Sequence, residues 1–129
     1  MVVDTSAVLA VLFKEDDAAR YLDAMVNAPQ VRISAATAVE LGIVAISRAG
    51  ADAELQIDLL LARVGAIIVP VDSAMASLAR SAFKTFGKGR HRAKLNFGDC
   101  FSYALAKMTG EPLLYKGSDF AETDLRAAI

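Results

Sequence analysis

The sequence predicts an α/β fold: a parallel sheet covered by helices on both faces. Short apolar runs recur near residues 1–4, 31–33, 66–69 and 113–115, each too short for a helix. Segments with apolar residues at helical i, i+3, i+4 spacing separate them. Alternation of this kind is the pattern of strands joined by helical crossovers. At 129 residues and 55% apolar, the chain has the size of one domain, 1–129, and enough apolar side chain to fill a core.

Each element follows from local chemistry. Residues 1–4 read as a buried strand, with Thr5 and Ser6 able to cap the first helix. That helix covers residues 7–13. Residues 16–28 form a second, with Ala18, Leu22, Met25 and Val26 on one stripe and Pro29 as its stop. After the strand at 31–33, Ser34 caps a helix running to about Arg48 and closed by Gly50. The next helix, about 52–64, is expected to turn Leu55, Leu59 and Leu60 inward and to stop at Gly65. The strand at 66–69 ends at Pro70. Met75, Leu78, Ala79, Ala82, Phe83 and Phe86 then keep helical spacing, so Phe83 and Phe86 read as core. Gly87-Lys88-Gly89 breaks that helix, and a basic loop runs to Asn96. A helix covers about 98–108 and ends at Gly110, then the strand at 113–115 comes after Pro112. Residues 120–129 read as a short helix or a tail.

Composition narrows the function classes. Charged residues are 22% and the net charge is −1, which argues against a disordered chain. The one cysteine, Cys100, leaves no internal disulfide and no cysteine-based zinc site; it reads as a small core residue. No leader peptide or membrane-length apolar run is visible, so a cytoplasmic protein with no membrane partner is expected. Lys84, Lys88, Arg90, Arg92 and Lys94 share one stretch with His91 and no acid, a local exception to the mild overall acidity. His91, the only histidine, reads as an exposed loop residue.

Four of the 15 acids lie beside strongly apolar sequence: Asp4, Glu40, Asp99 and Asp119. Each has a structural explanation. Asp4 is a good N-cap. Asn96 stands three residues before Asp99, so Asn96 as cap with Asp99 in the first turn explains that acid equally well. Asp119 sits in Lys116-Gly117-Ser118-Asp119, ordinary turn composition. Glu40 is harder to explain: a capping box with Thr37 is its structural reading, but Ser34 is the better start of that helix, and Glu40 lies between Val39 and Leu41 with Ile43 and Val44 one turn on. Asp16, Asp17, Asp52, Glu54 and Asp58 read as solvated. Taken together, the four acids suggest a site for a hard divalent cation, Mg²⁺ or Mn²⁺, which takes oxygen ligands and offsets carboxylate repulsion. Phosphodiester hydrolysis is the matching reaction class. There is no His-Glu-x-x-His, no phosphate-binding glycine loop and no Gly-x-Ser-x-Gly.

The residues also carry a family resemblance. Val2-Val3-Asp4-Thr5-Ser6-Ala7, Ala38-Val39-Glu40-Leu41, the run from Gly87 to Cys100 and Leu114-Tyr115-Lys116-Gly117-Ser118-Asp119-Phe120 resemble the PIN-domain ribonucleases, more narrowly the VapC-type toxins of toxin–antitoxin pairs. The resemblance implies a PIN-like three-layer α/β sandwich with a central parallel sheet. It implies Asp4, Glu40, Asp99 and Asp119 as the catalytic acids, with Asp4 and Asp99 as the direct metal ligands. Thr5 and Ser6 would support the first acid by hydrogen bonds. Thr5 and Ser6, with Lys88, Arg90, Arg92 and Lys94 of the basic loop, are the expected substrate-binding positions. The implied activity is Mg²⁺- or Mn²⁺-dependent cleavage of RNA, in this family often tRNA or rRNA. The implied partners are RNA, a VapB-type antitoxin and a second copy of the chain, with a higher assembly formed on the antitoxin. The rival readings are a PIN-like nuclease of RNA processing without a toxin role, and a non-catalytic α/β binding module whose acids are only caps.

Overall fold

The computed structural model describes residues 1–129 throughout. Four short strands form one parallel sheet: β1 (Val2–Val3), β2 (Arg32–Ser34), β3 (Ile67–Val69) and β4 (Leu113–Leu114), in the order β3-β2-β1-β4. In register, Val2 faces both Arg32 and Leu113, and Ile33 faces Ile68. Six helices cross between and beyond the strands: α1 (Thr5–Leu12), α2 (Ala18–Asn27), α3 (Ala35–Ala49), α4 (Ala53–Arg63), α5 (Ser73–Phe86) and α6 (Phe97–Thr109).

Strand side chains alternate between two cores. Val3, Ile33 and Leu114 pack with α1 to α4, while Val2 and Leu113 pack with α5 and α6. The sheet is thus the middle of three layers. The chain builds outward from β1 through β2 to β3, then returns to the other side of β1 with β4. In such sheets the crevice beyond the carboxyl ends, where the order reverses, is the natural site. Here that point lies between β1 and β4, where Asp4 and residues 115–119 emerge. No helix is long and apolar enough to cross a membrane.

Several expectations are corrected. Asp4 itself caps α1, so Thr5 and Ser6 belong to the helix and do not precede it. In α2 the buried positions are Tyr21 and Met25, and Val26 is exposed. In α4 the buried positions are Ala53, Ile57 and Leu61, while Leu55 and Leu59 face outward. That helix carries leucine around most of its circumference, so its pattern alone does not choose a face. β3 is an edge strand, with Ile67 and Ile68 exposed, so the sheet is not covered everywhere. Phe86 is half-buried against the α5–α6 core, but Phe83 is 40% exposed. The end of the chain is a 3₁₀ turn (Phe120–Glu122) and a tail, in which Ala127 bridges to Leu113 along the sheet edge.

Candidate functional site: an acidic pocket at the β1–β4 crevice

Asp4 leaves β1 in an extended conformation and is 4% exposed. A carboxylate so placed is costly unless both oxygens are satisfied. Its Oδ2 accepts the backbone N–H of Ser6 at 3.0 Å and the Ser6 hydroxyl at 2.6 Å. Its Oδ1 accepts the hydroxyl of Ser102, a fully buried residue of α6, at 2.7 Å. Ser102 spends its only proton on Asp4, so the buried Thr37 hydroxyl, 3.2 Å away, donates to Ser102. Ser6 in turn accepts the Lys116 backbone N–H at 3.0 Å. The cap reading of Asp4 is therefore correct, yet incomplete: one Ser6 bond serves the helix, and two hydroxyls fix the carboxylate itself.

Glu40 is half-buried on α3 and accepts the Thr5 hydroxyl at 2.7 Å through Oε2. Thr5 thus holds the second acid, not the first. A Cβ added at Gly98 would collide with the Glu40 carboxylate, so glycine is what lets the start of α6 close over this side chain. Glu40's neighbours Val39 and Ile43 are exposed, contrary to the expectation of an apolar face around it.

Asp99 closes a capping box. Its Oδ2 accepts the Asn96 N–H at 2.8 Å, and Asn96 Oδ1 accepts the Asp99 N–H at 2.9 Å. Burial pushes its carboxyl up to about 7; the Asn96 bond pulls the other way, and the charges of Asp4, Glu40 and Asp119 add to the rise. Asp4, Glu40 and Asp119 all lie within electrostatic reach of Asp99. Asp119 lies exposed at the start of the 3₁₀ turn, and its side chain caps nothing.

The donor set is all oxygen and anionic, which fits a hard divalent cation. No three carboxylates are drawn into a ready cage. An ion that keeps several of its own waters, as Mg²⁺ does, suits such a loose set.

Beyond the acids, the basic loop is an ordered structure. Gly87 and Leu95 bridge, and Lys88 N–H donates to Leu95 O at 2.9 Å. His91 is half-buried, edge-on to Phe86 at 5.1 Å, and its Nδ1 accepts the Ala93 N–H, so it is not the free loop residue expected. Arg92 pairs with Glu122, and Arg90 lies over the Phe83 ring. Lys88 and Lys94 make no carboxylate contact within 4.0 Å. On the other flank, Lys116 Nζ bonds Glu15 at 2.6 Å and Asp17 at 2.7 Å. The Lys116 hydrogen bond holds Asp17 below the usual carboxylate range, so Asp17 is a paired acid and not simply a solvated one. Cys100 is buried, and burial pushes its thiol up to about 11, which leaves it an inert core residue.

Sequence reading alone did not find Ser102, Thr37 or a role for Gly98. The hydroxyls act across 65 to 98 residues of chain, and no local pattern marks them.

Comparison with known proteins bears on the family and the fold. The family model "PIN domain" matches residues 1–125. The chain is 48% identical over 126 residues to ribonuclease VapC30 of Mycobacterium tuberculosis, covering 97% of this chain and 95% of that one. Its fold is similar to that of M. tuberculosis VapC20, described as a Sarcin-Ricin loop cleaving toxin, with TM-score 0.77 and 16% identity over 96% and 95% of the two chains. A toxin–antitoxin complex from Klebsiella pneumoniae contains a similar fold, with TM-score 0.71 and 20% identity over 95% and 92%. Residues 1–125 and a near full-length relative at this identity place the chain in the PIN-domain family, among its VapC ribonucleases.

Proposed function

We propose that this chain is a divalent-metal-dependent endoribonuclease acting as the toxin of a toxin–antitoxin pair, with Asp4, Glu40, Asp99 and Asp119 as its catalytic acids. The observation that carries the proposal is the grouping of acids at the sheet's crevice, with Asp4 buried and fixed by Ser6 and Ser102, Glu40 held by Thr5, and Asp99 close enough to feel the charges of Asp4, Glu40 and Asp119. Asp4 and Asp99 are the proposed direct ligands of Mg²⁺ or Mn²⁺. Such an ion lowers the pKa of a water and stabilises charge on phosphoryl oxygen.

The chain's own groups have separable roles. Ser6 and Ser102 hold the Asp4 carboxylate fixed. Thr5 fixes one oxygen of Glu40. Asp99, whose carboxyl burial pushes up to about 7, would be ionised as a ligand of the cation. Asp119, uncommitted, completes the negative field. Lys88, Arg90, Arg92 and Lys94 supply the phosphate contacts on which RNA affinity depends. The hydroxyls of Thr5 and Ser6 are engaged by acids, so their part in substrate binding is indirect, through the carboxylates they orient.

A VapB-type antitoxin and a second copy of the chain are the proposed protein partners. The exposed apolar residues Val39, Ile43 and Ile46 on α3, with Leu55 and Leu59 on α4, support a protein-binding face. The proposed setting is the cytoplasm, and the proposed unit is one domain over residues 1–129, since all four strands share one sheet.

The test is cleavage of structured RNA by the purified chain in Mg²⁺ or Mn²⁺. Cleavage should vanish in EDTA and in Asp4→Asn and Asp99→Asn. Equal cleavage by either variant, or with EDTA present, overturns the proposal.

A further inference from the structure

The geometry points to Lys116 as a positioning residue: gripped by Glu15 and Asp17, its ammonium fixes the segment leaving β4, whose backbone aligns Ser6 on Asp4 and which carries Asp119. This deepens the ribonuclease reading, on which it rests, with a residue whose ion pairs go to none of the four acids of the pocket.

Lys116 joins three elements. Its backbone N–H donates to Ser6 Oγ at 3.0 Å, and the Ser6 hydroxyl donates to Asp4 Oδ2 at 2.6 Å. A hydroxyl has one proton and two lone pairs. An N–H held on one lone pair narrows the directions left to the proton, here to the one that meets Asp4. The Lys116 Nζ bonds Glu15 at 2.6 Å and Asp17 at 2.7 Å, in the loop between α1 and α2. That loop is itself fixed. Lys14 closes α1 at φ 53°, in the left-handed region, and the Glu15 N–H donates back to Ala10 O at 3.0 Å. Asp17 stands at the N-cap position of α2, where an Asp side chain ordinarily bonds the helix. It makes no such bond, and its carboxylate goes instead to Lys116 across 99 residues of chain.

Asp119 depends on the same segment. Residues 117–119 are exposed, Gly117 takes φ 104°, and the Asp119 side chain caps nothing. The backbone therefore sets where this acid lies. Lys116 anchors the stretch on one side, and Phe120, buried and 5.2 Å from the Tyr115 ring, anchors it on the other. The Lys116 side chain is 36% exposed, and ion pairs that open to water contribute little to folding. What this one fixes is direction, so its loss should reach the site before it reaches stability.

The test compares the full chain with Lys116→Met. In EDTA, amide exchange followed by NMR should quicken about tenfold or more at Ser6 and Lys116 or its replacement, with the urea midpoint nearly unmoved. Mn²⁺ binding in calorimetry should weaken about tenfold, as when a group orienting a metal ligand is lost. The sign is decisive, because deleting a cation near four acids would by its field alone tighten Mn²⁺ binding. Lys116→Arg should restore the parent's exchange and affinity. In a chain carrying Glu15→Gln and Asp17→Asn, adding Lys116→Met should change neither further, since the grip is already gone. Unchanged exchange, tighter Mn²⁺ binding or an equal further loss in that background overturns the inference. Exchange that quickens at all slow amides alike reports lost stability and also overturns it. Cleavage of RNA by the parent is read separately. Local quickening in Lys116→Met with no cleavage and no Mn²⁺ binding by the parent leaves the clamp on Asp4 standing and removes the nuclease reading. Cleavage by the parent with unchanged exchange in the variant does the reverse.

Discussion

Replacing Asp99 with Asn should stabilise the metal-free protein at alkaline pH. The folded-state carboxyl titrates near 7, against about 3.9 in an unfolded chain. Between about pH 4 and 7 the folded state therefore holds a proton that the unfolded state has lost. Stability from this group is full below about pH 4, declines as pH rises towards 7, and stays low above it. The gap between about 7 and about 3.9 sets a ceiling of about 4 kcal/mol, at 1.36 kcal/mol for each tenfold change in proton affinity. The carboxyl is partly open to water, so screening brings the expected value to roughly 2 kcal/mol. Asparagine keeps an oxygen for the Asn96 N–H and carries no charge, so the capping box survives. Urea denaturation in EDTA should show Asp99→Asn more stable than the parent by roughly 2 kcal/mol at pH 8, with the difference vanishing near pH 4. Saturating Mg²⁺ should raise the parent by about 2.7 kcal/mol at a hundredfold excess over Kd and leave the variant nearly unchanged. Equal stability of the two proteins at pH 8 in EDTA would refute the raised Asp99 carboxyl and the burial and neighbouring charges invoked for it.

Three further outcomes are expected. Ser102→Ala removes a charge-assisted bond to Asp4 and leaves Thr37 without its buried acceptor, so it should cost roughly 2 kcal/mol of stability and weaken Mn²⁺ binding in calorimetry. Unaltered Mn²⁺ affinity would show that Ser102 serves only the fold. Gly98→Ala should leave stability equal or up to about 1 kcal/mol higher, from helix propensity, while displacing Glu40 and lowering cleavage roughly a hundredfold; full activity would remove Glu40 from the site. Asp119→Asn should lower cleavage less than Asp4→Asn does in the same assay, because Asp119 is exposed where Asp4 is buried.

The strands, the helix order and the stops at Gly50 and Gly110 are legible in the sequence, because apolar runs and chain-terminating glycines are local signals. The inward face of α4 is not, since Leu55, Leu59 and Leu61 surround the helix and only its packing partner selects among them. The exposure of Phe83 has the same origin: its spacing fits the α5 stripe, but α6 covers only part of that stripe. At the site, each acid is visible as an acid beside apolar sequence, and the cap explanations for Asp4 and Asp99 prove true without displacing the pocket. One carboxylate can start a helix and face a shared crevice, so local chemistry and site chemistry are not alternatives there. The hydroxyl relay from Thr37 through Ser102 to Asp4 is invisible in the sequence, because it joins three elements distant in the chain.

The pocket itself is tested most directly by a crystal of the chain soaked in Mn²⁺ and measured at the manganese absorption edge. Anomalous density should lie between the carboxylates of Asp4 and Asp99, with Ser102 still bonded to Asp4. Density that instead lies at Glu15 and Asp17, or none at the crevice at saturating Mn²⁺, would contradict the shared metal site.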